Sequence, residues 1–124
     1  MALELKIGKG KTQVQIEAHQ YSDGISIILY GGDKPHIGAV ALSIPRQSLR
    51  DKKKTSCSTS ILTITRHKDD EIAKDMAEAI SKDTKKTVVV IAGVHIEKAT
   101  GNDIEKVKKN CRKASKKLIE LFNN

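Results

Sequence analysis

The chain predicts an α+β fold, a two-layer unit in which two helices cover an antiparallel or mixed sheet, in the order β-β-β-β-α-β-α. Three observations carry this expectation. The first half holds short β-branched runs separated by turn-forming residues, which is the pattern of hairpin-linked strands. At Asp69 the apolar period changes from two to between three and four. The last third then reads as an apolar strand followed by a long amphipathic helix.

Val14, Ile16 and Ala18 alternate with Gln15 and Glu17, the period of a half-buried strand. Tyr21-Ser22-Asp23-Gly24 reads as a turn, because Asp-Gly tolerates the positive φ of a tight hairpin. Residues 25–30 are rich in β-branched side chains and should pair back as the second strand, and the stretch from Gly31 to Pro35 reads as a loop. Residues 37–44 form a third strand that Pro45 should stop. Residues 46–57, with Lys52, Lys53 and Lys54 in sequence, read as a solvated loop and the best candidate for mobility. Residues 58–65 make the fourth strand.

From Asp69, the residues Ile72, Ala73, Met76, Ala77 and Ile80 share one helical face, with Asp69 or Asp70 placed to cap it. Residues 87–92 are a continuous apolar run and predict a buried, central strand. The final helix opens on Thr100, with Asp103 at the capping-box position. Ile104, Val107, Cys111, Ala114, Leu118 and Leu121 form its apolar stripe, and lysines occupy its other faces.

Composition bounds the function. In 124 residues, 38% are apolar and grouped while 31% are charged, so one domain over residues 1–124 can bury a core and disorder is not expected. No run approaches the roughly 20 apolar residues of a membrane span. The start lacks the basic cap and apolar stretch of a signal peptide, so a cytoplasmic location is expected. Cys57 and Cys111 lie far apart without CxxC spacing and read as free thiols; two cysteines also exclude a cysteine-rich zinc site. The net charge of +8 raises the question of nucleic acid. Against it stand only three aromatics (Tyr21, Tyr30, Phe122) and a charge carried mostly by lysine, which lacks arginine's planar fork. A solvated lysine-rich surface accounts for the charge better.

The sequence has no dinucleotide fingerprint, no P-loop and no nucleophile elbow. Histidine is the informative residue. His36 follows the Gly31-Gly32-Asp33-Lys34-Pro35 loop, His67 lies within Arg66-His67-Lys68-Asp69, and His95 lies within Ala92-Gly93-Val94-His95-Ile96; His19 reads as an ordinary surface residue. One histidine at a strand end is most simply a packing or exposed residue. Three in such loops suggest a polar pocket, since loops on a rigid scaffold hold binding groups. Glycine N–H groups, the Arg66 fork, the Lys68 charge and the imidazoles would suit an anionic ligand, such as a flavin phosphate or an aromatic carboxylate. Plain alternatives stand beside this: Gly31-Gly32 as only a turn, residues 66–69 as a solvated connection. A metal site of His36, His67 and His95 lacks the close spacing of zinc motifs, and no metal is expected.

These three segments resemble the prenylated flavin chaperone LpdD-like family over residues 12–108, with the block from Gly31 to Val40 the most specific. Gly31, Gly32, Pro35, His36, Gly38, Arg66, His67, Lys68, Asp69, Gly93 and His95 match its pattern and form the candidate cofactor-binding set. The resemblance implies a fold like that of proteasome-assembly chaperones, a tendency to dimerise, and a non-catalytic accessory role. The implied partner is a UbiD-type decarboxylase subunit, helped by binding or delivery of prenylated flavin mononucleotide or flavin mononucleotide, or by assembly of the holoenzyme. The alternative is a protein-assembly chaperone with no small ligand. A small metal-dependent enzyme and a nucleic-acid-binding protein rank lower.

Overall fold

The structure, a computed structural model, describes residues 2–64 and 69–123. Six strands, β1 (Ala2–Ile7), β2 (Val14–Gln20), β3 (Gly24–Gly32), β4 (Ala39–Gln47), β5 (Thr55–Thr63) and β6 (Thr87–His95), form one sheet with spatial order β1-β2-β3-β6-β4-β5. Two helices, α1 (Asp69–Thr84) and α2 (Gly101–Phe122), complete the α+β unit. All ladders are antiparallel except β3–β6, so the sheet is mixed. The expected class and element order hold, with one more strand at the start of the chain. Leu3, Leu5 and Ile7 of that strand alternate toward the core and pack partly buried against it.

Both helices lie on one face. Val14, Ile16 and Ala18 of β2, Ile25, Ile27 and Leu29 of β3, and Val88, Val90 and Ala92 of β6 are buried beneath them. α1 supplies Ile72, Ala73, Met76, Ala77 and Ile80, the stripe read from its period. On α2 the buried stripe is Val107, Cys111, Ala114, Leu118 and Phe122, whereas Ile104 is exposed and Leu121 half-buried. The expected stripe was therefore off at both ends, because a straight helix of 3.6 residues per turn drifts relative to any fixed spacing. Thr100 and Asp103 close a capping box, as expected. Cys57 and Cys111 are both free and buried, and burial pushes the Cys111 thiol up to about 12.

Among the described residues, no helix covers the opposite face of the sheet. Its central row runs Leu62, Val40, Ile91, Ile28 across β5, β4, β6 and β3. Ile28, Leu42, Ile44 and Leu62 are exposed there. β6 is central as expected, yet only its helix side is sealed: Val89 and Ile91 are half-buried.

Several boundaries differ from the sequence reading: β4 begins at Ala39 rather than at residue 37, β6 runs to His95 rather than to residue 92, and three further ends move. Gly31 and Gly32 are not loop but the end of β3, paired with Val94 and His95. β4 runs through Pro45 to Gln47; the β4–β6 ladder ends at Ser43, so the proline's missing N–H interrupts no pairing with β6. The basic loop shrinks to residues 48–54, tied by a Ser48 N–H bond to the Lys54 carbonyl, and β5 begins at Thr55.

Candidate functional site

β3 and β6 run parallel, so their C-terminal ends meet at one end of the sheet, with Gly32 opposite His95 as the last pair. The chain then folds over the tip of β6. The N–H groups of Asp33 and Lys34 donate to the His95 carbonyl at 2.7 and 3.4 Å, and the Gly38 N–H donates to the Ala92 carbonyl at 2.8 Å. This close passage needs bare backbone. A Cβ on Gly93 would overlap the His36 carbonyl, and one on Gly38 would overlap the Asp69 carboxylate. Gly32 holds a φ of +79°, which favours glycine at the turn out of β3.

Asp69, the first residue of α1, is 4% exposed and is the centre of the site. One oxygen accepts from the Val94 N–H at 2.9 Å, and the other accepts from His36 Nε2 at 3.0 Å. The acid expected to cap its own helix therefore reaches across to β6 and to the β3–β4 loop. His36 Nδ1 lies 3.2 Å from the Lys34 carbonyl oxygen, so both ring nitrogens face oxygen atoms. The His36 and His95 rings stand edge to face with centroids 5.9 Å apart. His95 Nε2 lies 3.3 Å from the Glu97 carboxylate, Lys34 Nζ lies 3.6 Å from the same oxygen, and the Glu97 N–H donates to Asp33 at 2.9 Å.

The structure thus brings His36, Asp69 and His95 together, framed by Gly31, Gly32, Gly38 and Gly93, with Pro35 exposed in the loop above. Arg66, His67 and Lys68 lie outside the described residues. The N–H groups of Asp33, Lys34, Gly38 and Val94 are all engaged within the chain rather than turned toward a ligand. Among the described residues the cluster carries three carboxylates (Asp33, Asp69, Glu97) against one lysine (Lys34). No described group of three or more histidine, cysteine or acidic side chains is arranged to hold a metal. Sequence reasoning missed Asp33, Lys34 and Glu97 as members; Glu97 stands two residues after His95, which was the available signal.

Beside Asp69 an apolar crevice of about 120 Å³ opens between Ile72, Val94, Ile96, Ile104 and Val107. A separate groove of about 200 Å³, also lined by Ile72 and Lys108, lies between α1 and α2.

A family model described as the prenylated flavin chaperone LpdD-like domain matches residues 8–123. No curated protein matches the chain. Among solved structures, the fold is similar to a chain in the crystal structure of a novel chaperone complex for yeast 20S proteasome assembly. The identity is 15% and the TM-score 0.60, over 99% of this chain and 94% of that one. Among the described residues, no helix is long and apolar enough to cross a membrane.

Proposed function

Because this chain belongs to the prenylated flavin chaperone LpdD-like family, we propose that it is a non-catalytic accessory subunit of a UbiD-type decarboxylase. It acts as a single cytoplasmic domain that binds or hands over prenylated flavin mononucleotide, or flavin mononucleotide, at the strand ends around His36, Asp69 and His95. The observation that carries this reading is the fixed His36–Asp69 pair, whose Asp69 lines an apolar crevice. Imidazole and carboxylate groups are suited to hydrogen-bond a flavin's polar ring edge, and the crevice suits an apolar substituent.

The crevice is small for the task of enclosing a whole cofactor. At about 120 Å³ it falls below the ~300 Å³ at which pockets begin to bury a drug-sized ligand. A tricyclic ring would lie against the rim with one side in solvent or against another protein. That is the geometry of transient hand-over rather than of a resident cofactor, and it favours an accessory over an enzyme. The uncovered apolar sheet face around Val40, Leu42, Ile28 and Ile91 supplies a protein-docking surface, for a second copy of the chain or for the large subunit. The same face supports the second reading, a protein-assembly chaperone without a small ligand.

Titration with flavin mononucleotide, and with the prenylated form without oxygen, separates the two readings. Saturable quenching of flavin fluorescence that weakens about tenfold in His36→Ala supports the cofactor reading. No binding of either form, together with a stable complex with the decarboxylase subunit, moves the function to assembly alone.

A further inference from the structure

A second cluster lies on the helix side of the same end of the sheet, between the β1–β2 turn and α2. There Lys9 of the turn and Lys106, Lys109 and Lys113 of α2 line a cleft of about 310 Å³. The three helix lysines are spaced three and four residues apart and share one face. Among the described residues, the lysines in ion pairs are Lys11, Lys34 and Lys108, so these four have no carboxylate partner. Four like charges around one cleft repel one another unless an anion sits among them.

The cleft is also held in shape. Asn110, buried in the middle of the lysine face, donates from its side chain to the Thr12 carbonyl at 2.9 Å. That side chain lies where a Cβ on Gly8 would be, and Gly8 has a φ of +89°. Thr12 Oγ1 donates to the Lys9 carbonyl at 3.4 Å, and Gln13 Nε2 donates to the Gly8 carbonyl at 3.1 Å. The turn is thereby pinned to the helix, and the Lys9 stem is presented beside the three others.

We propose that this cleft binds the phosphate or pyrophosphate group of a small phosphorylated ligand. Lysine ammonium groups are compact point charges that converge well on such a group from several directions. A nucleic-acid strand is the less fitting polyanion, because no aromatic side chain lines the cleft to stack a base. The inference does not depend on the His36 site. A free phosphate ester and the phosphate arm of a flavin nucleotide present the same chemistry here.

The test is calorimetry with inorganic pyrophosphate on the intact protein at low salt. Wild type and His36→Ala should bind saturably and alike. Lys109→Ala/Lys113→Ala should weaken binding at least about tenfold, because each charge-assisted contact is worth roughly that factor. The charge-matched Lys74→Ala/Lys82→Ala on α1 should leave it unchanged. Flavin mononucleotide binding that is lost together with pyrophosphate binding, while riboflavin is ignored, identifies the flavin phosphate as the source. Undiminished pyrophosphate binding with no response to the flavin identifies a separate phosphorylated ligand. No saturable binding overturns the proposal. Equal loss in the α1 variant also overturns it, by showing diffuse attraction to net charge, and so does an RNA duplex that outcompetes pyrophosphate at equal phosphate concentration.

Discussion

The tips of β3 and β6 and the turn between β1 and β2 sit at one end of the sheet, yet they handle charge in opposite ways. At the tips, Lys34, Glu97, Asp33, His95, His36 and Asp69 answer one another in a connected chain of hydrogen bonds and ion pairs. At the turn, four lysines converge without a counter-charge among the described residues. The first arrangement is fixed from within, because its polar groups hold the loop and one another in place. The second holds its attraction in reserve for something outside the chain. Substitution should therefore cost stability at the tips, along with any binding there, and binding alone at the turn.

Gly93→Ala should be the most damaging change. Its methyl group has no room beside the His36 backbone, and unfolding by urea should show a loss of about 4 kcal/mol or a protein that does not fold. By contrast Gly10→Ala meets no neighbour and should lose only about 1 kcal/mol, through its positive φ. Comparable losses at the two glycines would erase the distinction between the two regions.

Asp69→Ala comes next. It strips the Val94 N–H of its acceptor and removes the carboxylate partner of His36, which should cost about 2 kcal/mol. Faster exchange of the Val94 amide proton would report the same loss locally.

A smaller effect is expected at the start of α2. Thr100→Ala removes an N-cap and should cost about 1 kcal/mol. The backbone N–H of Thr100, and then Lys11, hold the Asp103 carboxyl below its ordinary value. A carboxyl lowered by folding stabilises above its unfolded value of about 4, and that contribution is lost as pH falls through the lower folded value. Acid unfolding curves of Asp103→Asn should thus be flatter than wild type below about pH 4. Last, Lys109→Ala/Lys113→Ala should leave the unfolding free energy within about 0.5 kcal/mol of wild type, or raise it slightly by relieving repulsion. A large loss there would mean that the lysine stems pack structurally.

The sequence made the fold class legible because its periods are clean: β-branched alternation early, a helical stripe from Ile72 to Ile80, and a capping box at Thr100. β1 shows the same alternation in Leu3, Leu5 and Ile7, with Gly8 and Gly10 marking the turn after it, but so short a run does not read as a strand on its own. The strand ends were harder. Gly31 and Gly32 look like punctuation, and only the parallel pairing with β6 explains why glycine is needed inside a strand. His36 and His95 were visible as two of three unusually placed histidines, the third, His67, lying outside the described residues. The role of Asp69 was not, because its partners are 33 and 25 residues away in the chain, while local capping is the commoner use of an acid at a helix start. The lysine cleft was hidden for a similar reason. Lys106, Lys109 and Lys113 read as a solvated face until the turn at Gly8 is folded against them.

The strand order has a consequence for how the chain comes into being. β6 is the last strand to be synthesised, yet it lies between β3 and β4, and nothing else joins those two in the sheet. Until residue 95 has left the ribosome, the nascent chain holds two separate pieces, β1-β2-β3 and β4-β5, each with an open edge facing the gap. Such edges are templates for pairing with other chains. A protein whose family is named for chaperoning thus passes through its own vulnerable interval, one that ends only when its central strand arrives.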